Sequence, residues 1–318
     1  MIDVYQAVYN LSAQIPSGRV STYKALAEAL GDANAARAVG RILNENPKPI
    51  IIPCHRVVHQ SGELGGYKFG VDKKASLLRS EGIKIENYKI KNFRKIIFRN
   101  FKTSYPLKKL RALQKKLARR VILEDRFKKL DVIGGVDVSY YNNSGTAVCA
   151  TFDYRTKKIL GVRIVKKKVN FPYIPTYLAF RELPAIKEVV NKLIKKPDIL
   201  MIDGNGILHP LGIGIASHVG VVMNIPTIGV AKTLLCGKVE RMPLKVGESS
   251  KIFYKKRVVG FCLKSATYAK PIYVSPGNKV SLATALKIVR HFSISRIPEP
   301  LRLADSMGRK IRLTMKIK

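Results

Sequence analysis

Cys54 stands between Pro53 and His55 in the run Pro53-Cys54-His55-Arg56-Val57-Val58. A thiol attacks only as thiolate, and a neighbouring base or positive charge generates that form. His55 and Arg56 are the adjacent suppliers. Ile50-Ile51-Ile52 before the cysteine are expected to bury, and Val57-Val58 resume the apolar pattern after it. Cys54 is therefore expected on a rigid, mostly buried turn. Asp137, Glu182 and Asp203 form a second set of residues with chemical potential. Asp137 falls inside a strand-like apolar run, where an unpaired carboxylate is costly. Three carboxylates gathered from a strand, a helix and a later strand end supply the oxygen ligands of a Mg²⁺ site. Such a site activates water and neutralises phosphate charge during hydrolysis.

The elements that must position these residues differ between the two halves. Residues 22–30 read as a helix capped by Ser21, with Leu26, Ala29 and Leu30 on one face. Gly31-Asp32-Ala33-Asn34 breaks it, residues 35–44 form a second helix, and Pro47 ends that one. Two short helices joined by a glycine-containing turn make a helix-turn-helix pattern. Arg37, early in the second helix, is placed to enter a groove of nucleic acid. Gly65-Gly66-Tyr67 is a flexible turn that presents an aromatic, suited to a lid over a base pocket. A helix over 72–80 leaves Glu81 within reach of the cysteine loop.

Residues 89–130 hold sixteen Lys+Arg against two Asp+Glu, and a helical period returns over 107–127. Strands follow at 132–140, 146–153 and 159–169, then a helix at 176–195 and a strand at 198–202. A helix at 213–223 and a strand at 227–230 come next. Three antiparallel strands followed by alternating helices and parallel strands predict a ribonuclease H-like mixed sheet. The expected fold class is α/β in two domains. A small, mainly helical, winged helix-turn-helix-like domain covers 1–88, a basic linker 89–105, and the mixed-sheet domain 106–318.

A chain of 318 residues with 46% apolar content suits two globular cores. No apolar run of membrane-spanning length occurs and no signal peptide opens the chain, so a soluble, cytoplasmic protein without a membrane partner is expected. The four cysteines (54, 149, 236 and 262) form no CxxC pair, which argues against a zinc knuckle and a disulfide framework. The net charge is +38 and unevenly placed. Residues 1–88 carry 11 Lys+Arg against 8 Asp+Glu, and the remainder 48 against 13. That excess predicts salt-sensitive phosphate affinity, for DNA or RNA alike.

Gly18-Arg19-Val20-Ser21-Thr22-Tyr23, Ala36-Arg37-Ala38-Val39-Gly40, Asn46-Pro47, Pro53 to Val58 and Glu81-Gly82 resemble, in order and spacing, the blocks of the O6-alkylguanine-DNA alkyltransferases. The resemblance implies transfer of an alkyl group from guanine O6 to Cys54, with Asn46, His55 and Glu81 forming a relay with the cysteine. It implies that Arg37 fills the gap left by a flipped nucleotide, that Tyr23 pushes on the target phosphate, and that no cofactor is needed. Lys68-Phe69 departs from the small residues usual after the lid tyrosine, Tyr67.

Gly135 to Tyr140, Pro172-Tyr173-Ile174-Pro175, Phe180-Arg181-Glu182, Asp203 to Gly206, His209-Pro210, Ala216 to Gly220, Pro226 to Lys232 and Ile297 to Pro300 resemble the motifs of endonuclease V. That resemblance implies a divalent metal, Mg²⁺ with Mn²⁺ as substitute, held by Asp137, Glu182 and Asp203, with Asp305 as a further candidate ligand. His209 and Lys232 would support the scissile phosphate. Pro172, Tyr173, Ile174 and Pro175 would form the strand-separating wedge, with Tyr173 stacking. Leu211 stands where an arginine often follows His-Pro. Together the resemblances imply a monomeric, two-headed repair protein acting on damaged double-stranded DNA, with single-stranded DNA and RNA as further candidate partners. Incision would fall at the second phosphodiester 3′ to a deaminated base: hypoxanthine, with uracil and xanthine as further candidates. An inosine-specific ribonuclease and a lesion-binding module without transferase activity are the alternatives.

Overall fold

The computed structural model describes residues 2–317. The chain divides into two compact units, Met1–Ala112 with Asn170–Pro175, and Leu113–Val169 with Thr176–Lys318. In the first unit, α1 (Val4–Ala13) precedes β1 (Ser21–Thr22), α2 (Tyr23–Leu30) and α3 (Ala36–Asn44). Then come β2 (Val57–Val58), α4 (Val71–Ser80), β3 (Ile85–Glu86), β4 (Lys89–Ile90) and α5 (Phe93–Ile96). The cap of α2 is Thr22 rather than Ser21, its hydroxyl accepting from the Ala25 N–H at 3.0 Å. Ser21 is instead drawn into β1, which pairs in parallel with β2 through Ser21↔Val57 and Thr22↔Val58. This short ladder ties the helix-turn-helix to the strand that follows the cysteine.

Val20, Val58, Leu64, Ala75, Leu78 and Ile85 form a core against which Phe93 and Ile96 pack. Residues 89–105, expected as a linker, are therefore partly built into this unit. β4 pairs with β3, and the Phe98 N–H donates to the Val20 carbonyl at 2.6 Å. The β3–β4 turn has positive φ at both Asn87 and Tyr88, the geometry that matches the twist of a tight hairpin.

The expected burial of Ile50-Ile51-Ile52 is not found: Ile50 is 56% and Ile51 79% exposed. The run is a turn, with Ile50 at φ 75° and the Ile52 N–H donating back to the Lys48 carbonyl at 3.0 Å. A turn offers no alternating face to bury, whatever the hydropathy of its residues.

Helix α6 (Pro106–Ala118) contains the division between the units, and it stops well short of the expected residue 127. The second unit runs β5 (Val132–Tyr141), β6 (Ser144–Asp153), β7 (Ile159–Lys168), α7 (Leu178–Asn191), β8 (Ile199–Asp203), α8 (Ile215–Met223) and β9 (Thr227–Ala231). It continues with β10 (Lys238–Val239), β11 (Ser249–Tyr254), β12 (Arg257–Leu263), β13 (Ile272–Asn278), α9 (Leu282–Phe292) and α10 (Glu299–Ile317). Among the described residues these strands form one nine-stranded sheet in the order β10-β11-β12-β13-β9-β8-β5-β6-β7. β5, β8 and β9 are parallel and central, and antiparallel strands flank them. One face packs on α9 and α10 through Ile288, Phe292 and Leu301, the other on α7 and α8 through Ile186, Val189 and Val219.

The register of this sheet assembles the acids. Val136 pairs with Ile202, so Asp137 and Asp203 follow side by side on β5 and β8. Asp203 pairs with Val230 on β9, two residues before Lys232. Gly135 lies directly beneath α10, where a Cβ would stand 2.3 Å from the Pro300 carbonyl carbon, so only glycine permits this approach. Two residues on, Asp137 faces the same side of the sheet. The next turn of α10 carries Asp305, and Ser139 Oγ then meets the Gly308 carbonyl at 3.2 Å.

Candidate active sites

Cys54 begins a short 3₁₀ turn (Cys54–Arg56) and is buried at 5% exposure. Its Sγ accepts from the side-chain amide of Asn46 at 3.1 Å. The same amide donates to the Ile52 carbonyl at 3.0 Å, and Asn46 Oδ1 accepts from the Lys48 N–H at 3.0 Å. Asn46 thus closes the loop on itself and aims a donor at the sulfur. Cys54 opens onto a cavity of about 430 Å³ lined also by Tyr23, Arg37, Tyr67, His59 and Lys68. Gly65 sits beneath it at φ 69°, where a Cβ would stand 2.7 Å from His59 Nε2. The lid turn needs glycine there for both backbone and space.

His55 Nε2 lies 2.8 Å from Glu81 Oε1. Burial draws the His55 pKa below its ordinary 6.5, and the hydrogen bond and charge of Glu81 only partly restore it. The neutral ring then carries its proton on Nε2, donated to Glu81. Nδ1 is buried without a hydrogen-bond partner among the described residues and is left as the basic atom. Arg56, expected as a charge supplier for the thiol, is turned elsewhere. Its Nε donates to both Glu81 oxygens at 3.0 Å, and its Nη1 to the Ile15 carbonyl at 2.7 Å. Burial pushes the Glu81 carboxyl up, but the hydrogen bonds from Arg56 and His55 more than reverse this and leave it below the usual carboxylate range.

Sequence reading missed Lys74. It is fully buried, and its Nζ donates to the Val57 carbonyl at 2.7 Å and the Gly66 carbonyl at 3.3 Å. The ammonium also lies 5.9 Å from the Tyr23 ring centroid. Burial lowers its pKa to about 8, opposed by the charge of Cys54. It bridges β2, the strand after the cysteine turn, and the lid turn. The only signal in the sequence is its helical spacing, four residues before buried Leu78.

In the second unit, Asp137, Glu182, Asp203 and Asp305 act on one another electrostatically. Burial first, then the charge of Asp203, pushes the Asp137 carboxyl up to about 7, and Asp305 adds to the rise. Burial pushes Glu182 up to about 8, with Asp137 and Asp203 contributing. Three of these carboxylates have dedicated partners. Tyr140 Oη donates to Glu182 Oε1 at 2.7 Å, Lys232 Nζ to Asp203 Oδ2 at 2.5 Å, and Arg309 makes a two-pronged bond to Asp305 at 3.0 and 2.5 Å. The Arg181 guanidinium lies 4.2 Å from the Tyr140 ring centroid. Tyr140 and Arg309 were not anticipated, since both join the cluster through contacts that a linear motif does not encode.

The oxygen-rich, mutually repelling donor set fits a hard divalent cation. As the side chains stand, however, no group of three or more His, Cys, Asp and Glu among the described residues is arranged to hold a metal. The expected ready-made trio is not preformed. Lys232 instead brings the positive charge that the carboxylates face, and its ammonium is stabilised by Asp203, Asp305 and Asp137 against the cost of burial.

His209 is buried, and its Nδ1 accepts from the Leu211 N–H at 3.2 Å, which places its ring proton on Nε2. Of the proposed wedge, Pro172 and Ile174 are buried, while Tyr173 and Pro175 are exposed. These four residues group with the first unit, whereas Asp137, Glu182, Asp203, His209 and Lys232 all belong to the second.

The endonuclease V family model matches residues 115–306. The model for the 6-O-methylguanine DNA methyltransferase DNA-binding domain matches residues 3–83. A bifunctional methyltransferase/endonuclease of Picrophilus torridus is 40% identical over 306 residues, 95% of each chain. This chain belongs to the bifunctional methyltransferase/endonuclease family. A second bifunctional methyltransferase/endonuclease, from Thermoplasma volcanium, is 39% identical over 310 residues, covering 96% of this chain and 90% of that one. Among solved structures, the endonuclease V of Streptomyces avermitilis superposes with a TM-score of 0.62 at 32% identity, covering 66% of this chain and 94% of that one. That of Ciona intestinalis, in complex with a 24-mer DNA containing an inosine followed by a ribo-adenosine, gives 0.59 at 31% identity, with 67% and 99% covered. The α/β fold with its mixed nine-stranded sheet agrees with the expected class. A bifunctional methyltransferase/endonuclease is an enzyme on both counts, and its endonuclease V half belongs to a family that works with a divalent metal. No described helix is long and apolar enough to cross a membrane.

Proposed function

We propose that the first unit transfers alkyl groups from O6-alkylguanine in DNA to Cys54, and that the second incises DNA beside deaminated bases. The observation that carries this reading is that Cys54, His55 and Glu81 lie together in one unit and Asp137, Glu182 and Asp203 in the other, in a chain alignable end to end with bifunctional relatives. In the first unit the thiol proton passes to His55 Nδ1, directly or through water, and the thiolate attacks the alkyl carbon. The carbon–O6 bond breaks, a stable thioether forms, and one proton returns to the leaving guanine. Glu81 holds His55 in the required tautomer. Asn46 steadies the sulfur, and Lys74 opposes the growing negative charge. Tyr67 Oη, buried and without a partner among the described residues, is the polar group offered to a flipped base. Arg37 fills the gap that base leaves, and Tyr23 presses on its phosphate. The presence of Cys54 disfavours a purely lesion-binding role.

In the second unit, Asp137, Glu182 and Asp203 would hold Mg²⁺ or Mn²⁺, with Asp305 nearby. When bound, the metal supplies water activation and relief of phosphate charge. Lys232 must leave Asp203 for that to happen, which frees its ammonium for the scissile phosphate alongside His209. Tyr173, with Pro172, Ile174 and Pro175, would part the strands. The cut falls at the second phosphodiester 3′ to hypoxanthine, and xanthine and uracil are further substrates. RNA containing inosine is a second reading, favoured by the ribo-adenosine after inosine in the Ciona intestinalis complex.

A crossed pair of variants tests both halves. Cys54→Ala should lose labelled methyl transfer completely while incising hypoxanthine DNA at the normal rate. Asp137→Ala should do the reverse. Methyl transfer to Cys54→Ala, or nicking by Asp137→Ala at millimolar Mg²⁺, refutes the corresponding assignment. Matched DNA and RNA strands carrying inosine decide the preferred substrate.

A further inference from the structure

Residues 264–271, between β12 and β13, form a tightly tethered loop. Ser265 is buried, and its hydroxyl donates to the Arg296 carbonyl at 2.7 Å. Lys264 Nζ crosses the loop to the Ala269 carbonyl at 2.9 Å. The Arg296 guanidinium returns the tie, donating through Nε to the Lys270 carbonyl at 2.9 Å. Its Nη2 reaches the carbonyls of Lys232 at 3.1 Å and Pro271 at 3.5 Å. One arginine therefore pins both ends of the loop and fastens them to the backbone of the lysine that pairs with Asp203. Held at the tip is Tyr268, 103% exposed, making no hydrogen bond or ring contact among the described residues. It lies two residues from Lys270, so its Cα is within about 7 Å of that residue's.

A side chain this exposed on a mobile loop would need no explanation. Here the backbone is ordered around it, so the ring is presented at little further entropic cost, the arrangement that makes aromatic anchors effective. Lys264 and Lys270 flank it, and Lys232 stands at the foot of the loop. An exposed planar face on a lysine-bearing loop suits a ligand with a flat ring and an anionic backbone. We propose that Tyr268 is a stacking platform for an unpaired base of the strand engaged at the carboxylate cluster, gripping that strand outside the position being cut. This rests on the nuclease reading above and extends it from the lesion to the neighbouring strand.

The test uses the full chain without divalent metal and single-stranded inosine oligonucleotides carrying 2-aminopurine at successive positions on either side of the inosine. Wild type should quench the probe at one or two adjacent positions, and Tyr268→Ala should lose that quenching. By the usual worth of one base stacked on an aromatic, Tyr268→Ala should bind roughly 5- to 150-fold more weakly. Tyr268→Phe, which keeps the ring, should behave as wild type. The salt dependence of binding should be the same in all three proteins, since no charge changes. Unaltered quenching in Tyr268→Ala, affinity within twofold of wild type, or a Phe variant as weak as Ala would overturn the proposal. Normal alkyl transfer by Tyr268→Ala serves as the folding control. Were wild type itself, in a parallel assay with millimolar Mg²⁺, unable to incise inosine strands, the nuclease reading would fall. A wild type that incises beside a Tyr268→Ala that binds normally would sink the stacking role alone.

Discussion

Around Cys54 the charges are matched within the protein: Glu81 is shared by His55 and Arg56, and two carbonyls hold the buried ammonium of Lys74. Around Asp137 they are not. Four acids face three cations there, Lys232, Arg309 and Arg181, and burial with mutual repulsion pushes two of the acids towards neutrality. On the proposed reading the first site acts through one sulfur, and the groups that would assist it, the Asn46 amide and the paired His55 and Glu81, are already in place. The second holds more potential negative charge than its own side chains can balance. A group of carboxylates assembled at that cost is a site to be completed by an added cation. The difference separates a reagent that the fold carries from a catalyst that the fold only prepares.

The strongest way to break this comparison is at Glu81. Glu81→Gln removes the carboxylate that holds the tautomer of His55, so alkyl transfer should fall, at most by the worth of the His55 general base itself, roughly 10²- to 10⁴-fold. Incision should be unchanged, and single-turnover transfer against nicking on the same preparation reads both. A Gln variant with near-normal transfer would show that the matched charges are structural only.

Two substitutions sharpen the other side of the comparison, with opposite signs. Lys232→Met removes the cation that competes for Asp203, so Mn²⁺ should bind more tightly, by about tenfold or 1.4 kcal/mol, while incision is lost. Tyr140→Phe keeps the ring under Arg181 but deletes the hydroxyl that orients Glu182. Outer-shell losses of this kind weaken metal binding by roughly 10- to 100-fold, and the low end is expected here. Calorimetric Mn²⁺ titrations of the two variants should move apart from wild type in opposite directions. Shifts in the same direction would contradict the competition.

The smallest effect concerns pH. His55 serves as base only when neutral, and burial lowers its pKa from 6.5. The acid limb of the transfer rate should therefore lie below pH 6.5, with transfer lost as pH falls through that lowered value. Rates measured from pH 4.5 to 8 check this, and a limb centred above 6.5 would mean that His55 is stabilised as a cation instead.

Much of this arrangement was legible in the sequence where chemistry and periodicity coincide. Asp137 interrupts an apolar run, the strands β5 and β6 are largely buried, and Pro53-Cys54-His55 sets the proposed nucleophile beside its proposed base. What escaped depends on distance in the fold. Tyr140 meets Glu182 across 42 residues, and Arg296 reaches Lys232 across 64. Lys74 reads as one more surface lysine until Leu78 shows which face of its helix turns inward. Ile50-Ile51-Ile52 misled in the opposite way, because hydropathy carries no record of the positive φ that turns the chain outward there. The second motif helix gained its 3₁₀ lead-in (Ala33–Ala35) through the Asp32 side chain, a local cap invisible to periodicity.

The nine-stranded sheet ends at β7, ten residues long, with Ile159, Leu160 and Ile164 open to solvent. An edge of that length and composition is a template on which strands of other molecules add, the first step of aggregation. Arg163, Lys166, Lys167 and Lys168 lie along it, and among the described residues only Lys167 of these four is neutralised, by Glu188. A second copy of the edge would have to lay its own row of cations against this one. The positive charge that favours polyphosphate thus also guards the sheet against its own kind, raising an electrostatic barrier to edge-on-edge addition that an uncharged edge would lack.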